Sequence, residues 1–238
     1  MSNLSPQDSP ERQWSDMTLV LWSHPFSSFA QKVLIAFYET ALPFEARLVD
    51  FGSEASAAAF RAVWPLAKMP VLVDEERGLT LPESTIIIEH LHALAPEAGL
   101  LPRESGAALK TRLLDRIFDH YVMHAMQKIV GDRLRPDGED DPFGVEQARE
   151  QLRTAYGVIE QELADGRTFA SGPAFTLADC AAAPSLYYAE LVEPFRAGWT
   201  RLAAYFDRLL ARPSYARALR EAEPYRDYFP KPRVRTSR

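Results

Sequence analysis

The amino-acid sequence predicts a small α/β domain followed by an all-helical domain. Up to about residue 95, short apolar runs of strand length alternate with segments of helical period. From Gly106 onward the helical period dominates, and glycine and proline stand mainly between long helical segments. We therefore predict an α/β domain over residues 17–95, a linker over 96–104 and a helical domain over 105–230.

The first domain is predicted to follow the order β-α-β-α-β-β-α. Residues 17–22 form an apolar run that is typical of a buried strand. Four apolar residues then recur at helical spacing and trace one face of a helix, namely Phe29, Ala30, Val33 and Phe37. The further predicted strands are 44–50, 70–73 and 79–81. The further predicted helices are 55–63 and 84–93, the second with an inward face of Ile87, Ile88 and Leu91.

The second domain is predicted to contain five long helical segments. The stretch 131–144 between two of them is rich in charge, glycine and proline, so we predict an exposed helix end and loop there. Residues 1–16 are predicted to form a disordered polar tail, and residues 231–238 a basic tail. The predicted helices are 107–135, 145–163, 177–189, 200–211 and 214–221.

Composition argues against several classes of partner. The chain has 238 residues, with 33 acidic against 27 basic residues and a formal charge of −6, which disfavours nucleic acid and anionic membranes. No uninterrupted apolar run approaches the ~18 residues of a membrane span, and the first residues lack the apolar core of a secretory signal. The single cysteine, Cys180, cannot form an internal disulfide, so a cytoplasmic location is expected.

Four motifs occur in a specific order along the chain. They are PFSSFAQKV at 25–33, KMPVL at 68–72, LPESTIIIEHL at 81–91 and FTLADCAAAP at 175–184. In this order and spacing they resemble the glutathione transferase family, over roughly residues 17–229. The resemblance implies a thioredoxin-like first domain that binds glutathione and a helical second domain that holds the acceptor substrate.

The two serines of the first motif stand where a strand gives way to a helix. Ser28 followed by Gln31 matches a capping box, and Ser27 would also serve as a cap. The resemblance places Ser27 on the catalytic serine, with Ser28 as the alternate and the expected cap. A free thiol has a pKa near ~8.5, and a hydroxyl that donates to the sulfur favours the reactive thiolate. No tyrosine or cysteine, the other residues that the family uses here, occurs in 23–33.

The second and third motifs are where the resemblance implies a glutathione groove. Met69 would pair through its backbone with the cysteinyl part of glutathione, next to a cis bond to Pro70. Lys68 would meet the glycyl carboxylate, although a solvated lysine is the plain alternative. Glu83 would bind the ammonium of the γ-glutamyl part and Ser84 its carboxylate, and a helix N-terminus suits that anion. A serine at a helix start is also simply a cap.

The fourth motif has a capping-box pattern. Thr176 precedes Asp179 by three residues, and Phe175 and Cys180 occupy the staple positions. We interpret Asp179 as a folding residue rather than a catalytic one, and Cys180 as a small apolar core residue.

The acceptor site is expected on the long helix of the second domain. His120, Tyr121 and His124 are the candidates to line it. The spacing of the two histidines would suit a metal, but no third ligand stands at a recognisable distance, so no metal is predicted.

The leading interpretation is a cytoplasmic, homodimeric glutathione transferase of serine type that acts in detoxification. Glutathione would be the co-substrate, and its thiolate would attack a hydrophobic electrophile or a hydroperoxide. One alternative is a glutathione-dependent isomerase or dehalogenase. The other is a binding or regulatory module that keeps the fold without turnover.

Overall fold

Residues 18–232 of the chain are described by a computed structural model. The predicted polar tail 1–16 lies outside the described residues, and so does the predicted basic tail from residue 233 onward. Between Ala98 and Gly99 the chain divides into two compact units.

Within residues 18–98 the first unit has four strands and three α-helices in the order β-α-β-α-β-β-α, which confirms the predicted fold class. The strands are β1 (Leu19–Ser23), β2 (Glu45–Leu48), β3 (Val71–Asp74) and β4 (Leu79–Pro82). The helices are α1 (Ser28–Thr40), α2 (Glu54–Val63) and α3 (Ser84–Leu94). A short 3₁₀ turn, Pro96–Ala98, follows.

The four strands form one mixed sheet with the order β2-β1-β3-β4. Strand β1 runs parallel to β2 and antiparallel to β3, and β3 runs antiparallel to β4. The central strands β1 and β3 are largely buried, whereas β2 is exposed at one edge. The inward face predicted for α3 is confirmed, because Ile87, Ile88 and Leu91 are fully buried.

The second unit is helical. Its predicted first helix, 107–135, is one run of helical turns but not one α-helix: α4 (Ser105–Ile117) passes through a π-helical segment (Phe118–Met123) into α5 (His124–Asp132). After Asp132 the backbone hydrogen bonds change from the i→i−4 pattern of an α-helix to the i→i−3 pattern. The α-helix therefore ends before the predicted residue 135. The later elements are α6 (Pro142–Glu162), α7 (Leu177–Glu190), α8 (Thr200–Leu210), α9 (Pro213–Ala222) and a 3₁₀ segment (Glu223–Tyr228).

The predicted capping box at the start of α7 is present. The carboxylate of Asp179 is fully buried and accepts from Thr176 through the backbone N–H at 2.8 Å and the hydroxyl at 3.0 Å. It also accepts from the backbone N–H of Ala170 at 2.8 Å and from the hydroxyl of Tyr205 at 2.7 Å. Asp179 therefore ties a preceding turn and α8 to the start of α7. Cys180 beside it is also fully buried, as predicted for a core residue.

In the part of the chain that the structure describes, no helix combines the length and the apolar character needed to cross a membrane.

Candidate functional site

The register of the sheet brings the first three motifs to one end of the first unit. Trp22 in β1 pairs with Val71 in β3, and Val71 pairs with Pro82 in β4. Because neighbouring strands lie about 4.8 Å apart, these three residues form a row about 10 Å long. The chain leaves this row toward Ser27, enters it from Pro70 and leaves it again toward Glu83. The three predicted glutathione-binding segments thus meet at the same end of the sheet.

Ser27, and not Ser28, is the N-cap of α1. Its backbone is extended, with φ −73° and ψ 123°, and its hydroxyl oxygen accepts from the backbone N–H of Ala30 at 3.4 Å. Ser28 is the first residue of the helix and is buried, whereas Ser27 is half-buried. The prediction that Ser28 provides the cap is therefore wrong.

The capping box expected between Ser28 and Gln31 does not form either. The side-chain amide of Gln31 instead donates to the carbonyl of Pro25 at 3.0 Å, in the turn before the helix. The side chain of Gln31 therefore holds the turn, and the helix begins at Ser28, one residue earlier than a Ser28–Gln31 box would require.

Three residues, 24–26, connect β1 to Ser27, and the first of them, a histidine, had not been predicted as a site residue. The ring nitrogen Nδ1 of His24 accepts from the backbone N–H of Phe26 at 3.1 Å. The backbone carbonyl of His24 accepts from the N–H of Ser27 at 2.9 Å. Burial lowers the pKa of His24 below its ordinary 6.5, and the nearby charge of Asp50 opposes this with a smaller effect. The only signal in the sequence was its position three residues before Ser27.

The KMPVL motif enters β3 through a cis bond between Met69 and Pro70, as the resemblance implied. The side chain of Met69 packs against an apolar cluster that includes Phe60 and Val71, so this side chain serves the core. Lys68 is exposed. The segment therefore offers its backbone at Met69 and a solvated cation at Lys68.

Glu83 holds an unusual backbone conformation immediately before α3. Its φ of 71° and ψ of 112° place a non-glycine residue at positive φ, which costs on the order of 1–3 kcal/mol and is typical of functional sites. Its carbonyl accepts from the N–H of Ile87 at 3.0 Å, but its side chain forms no cap. Ser84 is the buried first residue of α3 rather than the capping residue that the sequence had suggested.

One buried lysine joins the two helices that start at this end of the sheet. Lys32 in α1 is 1% exposed, and its Nζ donates to the hydroxyl oxygen of Thr85 in α3 at 2.9 Å. Thr85 directly follows Ser84, so the bond links the second turn of the helix that Ser27 caps to the first turn of the helix that begins at Ser84. Helical periodicity did not reveal this role, because a lysine is ordinarily expected on the solvated face.

The three candidates for the acceptor site lie in the second unit. His120 and Tyr121 belong to the π-helical segment and His124 begins α5, and all three are exposed. The side-chain amide of Gln151 donates to the backbone carbonyls of His120 and Tyr121 at 3.3 and 3.5 Å. Within residues 18–232, histidine, cysteine and carboxylate side chains do not gather in a group of three that would suit a metal ion.

The end of the sheet described above suits an anionic, peptide-like ligand. Two helices begin there, and unpaired backbone N–H groups at a helix N-terminus favour negative charge. Ser27, a half-buried residue, adds a hydroxyl that can donate to a negatively charged atom.

Comparison with known proteins identifies two family domains in the chain. Models of the glutathione S-transferase N-terminal and C-terminal domains match residues 21–99 and 142–208, together more than half of the chain. FtsZ-localized protein A from Caulobacter vibrioides is 29% identical over 212 residues, which cover 84% of this chain and 90% of that protein. A probable maleylacetoacetate isomerase from Vibrio cholerae is 29% identical over 215 residues, which cover 87% and 98%.

Among solved structures, a glutathione S-transferase from Methylobacterium radiotolerans in complex with glutathione sulfonate has a TM-score of 0.72 and 28% identity. The match covers 93% of this chain and 99% of that one. The two matching domain models, the mixed four-stranded sheet and the helical unit that follows it lead to one conclusion: this chain belongs to the glutathione S-transferase family.

Proposed function

We propose that the protein is a glutathione transferase in which the Ser27 hydroxyl stabilises the thiolate of glutathione. The observation that carries this proposal is that the segments with Ser27, Pro70 and Glu83 adjoin the strands at the same end of the sheet. The thiolate would then attack a hydrophobic electrophile or a hydroperoxide. The family membership and the glutathione sulfonate complex of the Methylobacterium relative support glutathione as the ligand.

The hydroxyl of Ser27 can cap the helix and donate to the glutathione sulfur at the same time. A hydroxyl has one hydrogen to donate and two lone pairs to accept with. When Ser27 accepts from the N–H of Ala30, its hydrogen remains available to a sulfur atom in front of the helix. A downward shift of about two units in the thiol pKa corresponds to about 2.7 kcal/mol. One charge-assisted hydrogen bond together with a helix N-terminus supplies stabilisation of that order.

The rest of the ligand fits the length of the site. An extended tripeptide spans about 10 Å, the same as the row of strand ends from β1 to β4. We propose that Glu83 binds the ammonium of the γ-glutamyl part and Ser84 its carboxylate, that the Met69 backbone pairs with the cysteinyl part, and that Lys68 meets the glycyl carboxylate. His120, Tyr121 and His124 are proposed to contact the acceptor.

Two matched serine variants test the proposal. Ser27→Ala should return the pKa of the bound thiol from about 6.5 to ~8.5 and lower turnover at pH 7 by about 25-fold, because the thiolate falls from about three quarters to about 3% of the bound thiol. Ser28→Ala should leave both within about twofold, because that residue lies buried inside the helix. The thiolate absorbance of the glutathione complex, titrated against pH, gives the pKa directly. An unchanged pKa in Ser27→Ala would disprove the assignment, and an effect confined to Ser28→Ala would transfer the role to Ser28.

A glutathione-dependent isomerase or dehalogenase is the second candidate function, and the Vibrio cholerae relative favours the isomerase. These reactions need the same thiolate and differ in the acceptor. A panel of halonitroaromatics, isothiocyanates, hydroperoxides, alkyl halides and cis-enedione acids separates them. Activity confined to the enedione acids would identify an isomerase, and halide release from alkyl halides a dehalogenase.

A binding module without turnover is the third candidate, and FtsZ-localized protein A is the relative that favours it. Retention on a glutathione resin combined with no turnover on the whole panel would support this candidate. We also propose a cytoplasmic homodimer that acts in detoxification. Light scattering of the purified protein tests the oligomeric state.

A further inference from the structure

We propose that His24 is a positioning residue for Ser27, and that it works only as a neutral imidazole whose Nδ1 atom closes the turn before α1. This inference rests on the proposed function of Ser27. His24 would act on the site through Ser27, without contacting glutathione.

Three hydrogen bonds hold the turn. The His24 ring accepts from the N–H of Phe26 at 3.1 Å, and the His24 carbonyl accepts from the N–H of Ser27 at 2.9 Å. From the helix side, Gln31 donates to the carbonyl of Pro25 at 3.0 Å. Gln31 is fully buried, so its end of the turn is rigidly packed. At the other end of the turn, the bond from the N–H of Phe26 to the His24 ring closes the segment 24–26. Ser27 is the residue that follows this segment.

The bond determines the protonation state that the turn requires. Because Nδ1 accepts a hydrogen bond, the ring proton must be on Nε2 and the imidazole must be neutral. Protonation would place a hydrogen on Nδ1 opposite the N–H of Phe26, and the bond would be lost. The turn that presents Ser27 would therefore loosen at acidic pH.

The surroundings of the ring favour the neutral form. Burial disfavours the imidazolium and lowers the pKa of His24. Asp50, which follows β2, is the charged group that acts on the ring in the opposite direction, with the smaller effect. The end of β2 is adjacent to the turn, since the N–H of Val49 donates to the carbonyl of Ser23 at 2.9 Å.

The geometry also supplies a rescue variant. An acceptor that bonds the N–H two residues later is the pattern of an Asx turn, which asparagine forms through its side-chain oxygen. His24→Asn should thus keep the closing bond without a group that titrates between neutral and acidic pH. His24→Leu removes the acceptor at similar bulk.

The test measures the pH profile of kcat/KM for the acceptor in the wild type and both variants, at saturating glutathione. In the wild type two protonations, of the bound thiolate and of His24, should both reduce the rate, so the acid limb should become steeper than that of a single proton. His24→Asn should keep the neutral-pH rate within about twofold and show a one-proton limb, since one titrating group is removed. His24→Leu should lower the neutral-pH rate by about tenfold, in the range expected when a catalytic group is misplaced.

A second measurement does not depend on turnover. In the full-length wild type, the ¹⁵N shifts of the His24 ring should show the proton on Nε2 and a pKa below 6.5. A proton on Nδ1 at neutral pH, or a His24→Leu variant with the wild-type profile, would overturn the inference. If instead Ser27→Ala keeps full turnover, the proposed function fails and the positioning role fails with it. The ¹⁵N shifts of the His24 ring would still show whether the turn is closed by Nδ1. A failure of the proposed function of Ser27 can therefore be distinguished from a failure of the His24 hydrogen bond.

Discussion

The ammonium group of Lys32 lies 2.9 Å from the hydroxyl oxygen of Thr85, and this contact joins the second turn of α1 to the first turn of α3. A buried charge is costly unless polar groups surround it, so the acceptor on Thr85 matters more than a surface hydroxyl would. The contact connects the helix that Ser27 caps to the helix that begins at Ser84.

Thr85→Val should therefore destabilise the protein by about 1–2 kcal/mol, because it removes an acceptor from a buried ammonium at nearly constant volume. It should also raise the KM for glutathione, since α1 and α3 lose their polar link beside the proposed site. Urea unfolding and steady-state kinetics measure the two effects. Thr80→Val on the exposed strand β4 is the matched control and should change stability by less than about 0.5 kcal/mol. Equal losses of unfolding free energy in the two variants would show that the contact between Lys32 and Thr85 contributes no more to stability than an exposed threonine does.

Glu83 offers a test of stored backbone strain. Glu83→Ala and Glu83→Gly both remove the carboxylate, so both should raise the KM for glutathione. Only glycine adopts a φ of 71° without strain, so Glu83→Gly should be more stable than Glu83→Ala by about 1 kcal/mol. Chemical denaturation of the two variants measures this difference. Identical stabilities would mean that the conformation at this position relaxes without cost.

Asp74 gives the first unit a predictable dependence on pH. Its buried carboxylate contacts Nε2 of His90 at 2.8 Å, the guanidinium of Arg77 at 3.2 Å and the backbone N–H of Arg77 at 3.1 Å. Burial alone would raise the pKa of Asp74, but these donors together hold it below the usual 3.8. A lowered pKa means that the stabilisation is complete above 3.8 and is lost as the pH falls through the value in the folded state.

Asp74→Asn should accordingly lower the free energy of unfolding by about 2 kcal/mol at neutral pH. The difference in unfolding free energy between the variant and the wild type should become smaller as the pH falls below about 4. Urea titrations at several pH values provide the measurement. Glu76→Gln in the same turn removes an exposed partner of Arg77 and should cost less than about 1 kcal/mol at any of these pH values. A gap for Asp74→Asn that stays constant with pH would refute the assigned role.

Asp179 should be the most sensitive of these positions to substitution. Asp179→Ala leaves donors from Ala170, Thr176 and Tyr205 buried without their acceptor, and we expect a loss of about 3 kcal/mol or more. Tyr205→Phe removes one of these donors and should cost about 1–2 kcal/mol. The exposed Asp207→Ala, which breaks a surface ion pair with Arg196, should cost less than about 1 kcal/mol. A similar loss for Asp179→Ala and Asp207→Ala would contradict the network described.

Local patterns in the sequence correctly predicted contacts between residues that lie close together along the chain. The inward face of α3 followed from its helical spacing, because residues three and four apart share one side of a helix. The bond between Asp179 and Thr176 followed from the capping box, which spans three residues. The order of strands and helices in the first unit followed in the same way.

Features that depend on distant residues were not predictable from such patterns. One error was local: the cap was assigned to Ser28, but the hydroxyl of Ser27 accepts from Ala30, and Gln31 donates to the carbonyl of Pro25. The burial of Lys32 depends on Thr85, which lies 53 residues later. The π-helical segment leaves no mark on an apolar period that continues on both sides of it.

The sequence by itself determined which elements form, where the capping box stands and which motifs resemble those of a family, because propensity, periodicity and short-range hydrogen bonds act over a few residues. Tertiary structure alone decided that Trp22, Val71 and Pro82 stand in one row and that Glu83 holds a positive φ. The physical reason is that strand pairing joins parts of the chain about 50 residues apart, and only that pairing brings the ends of three motifs together.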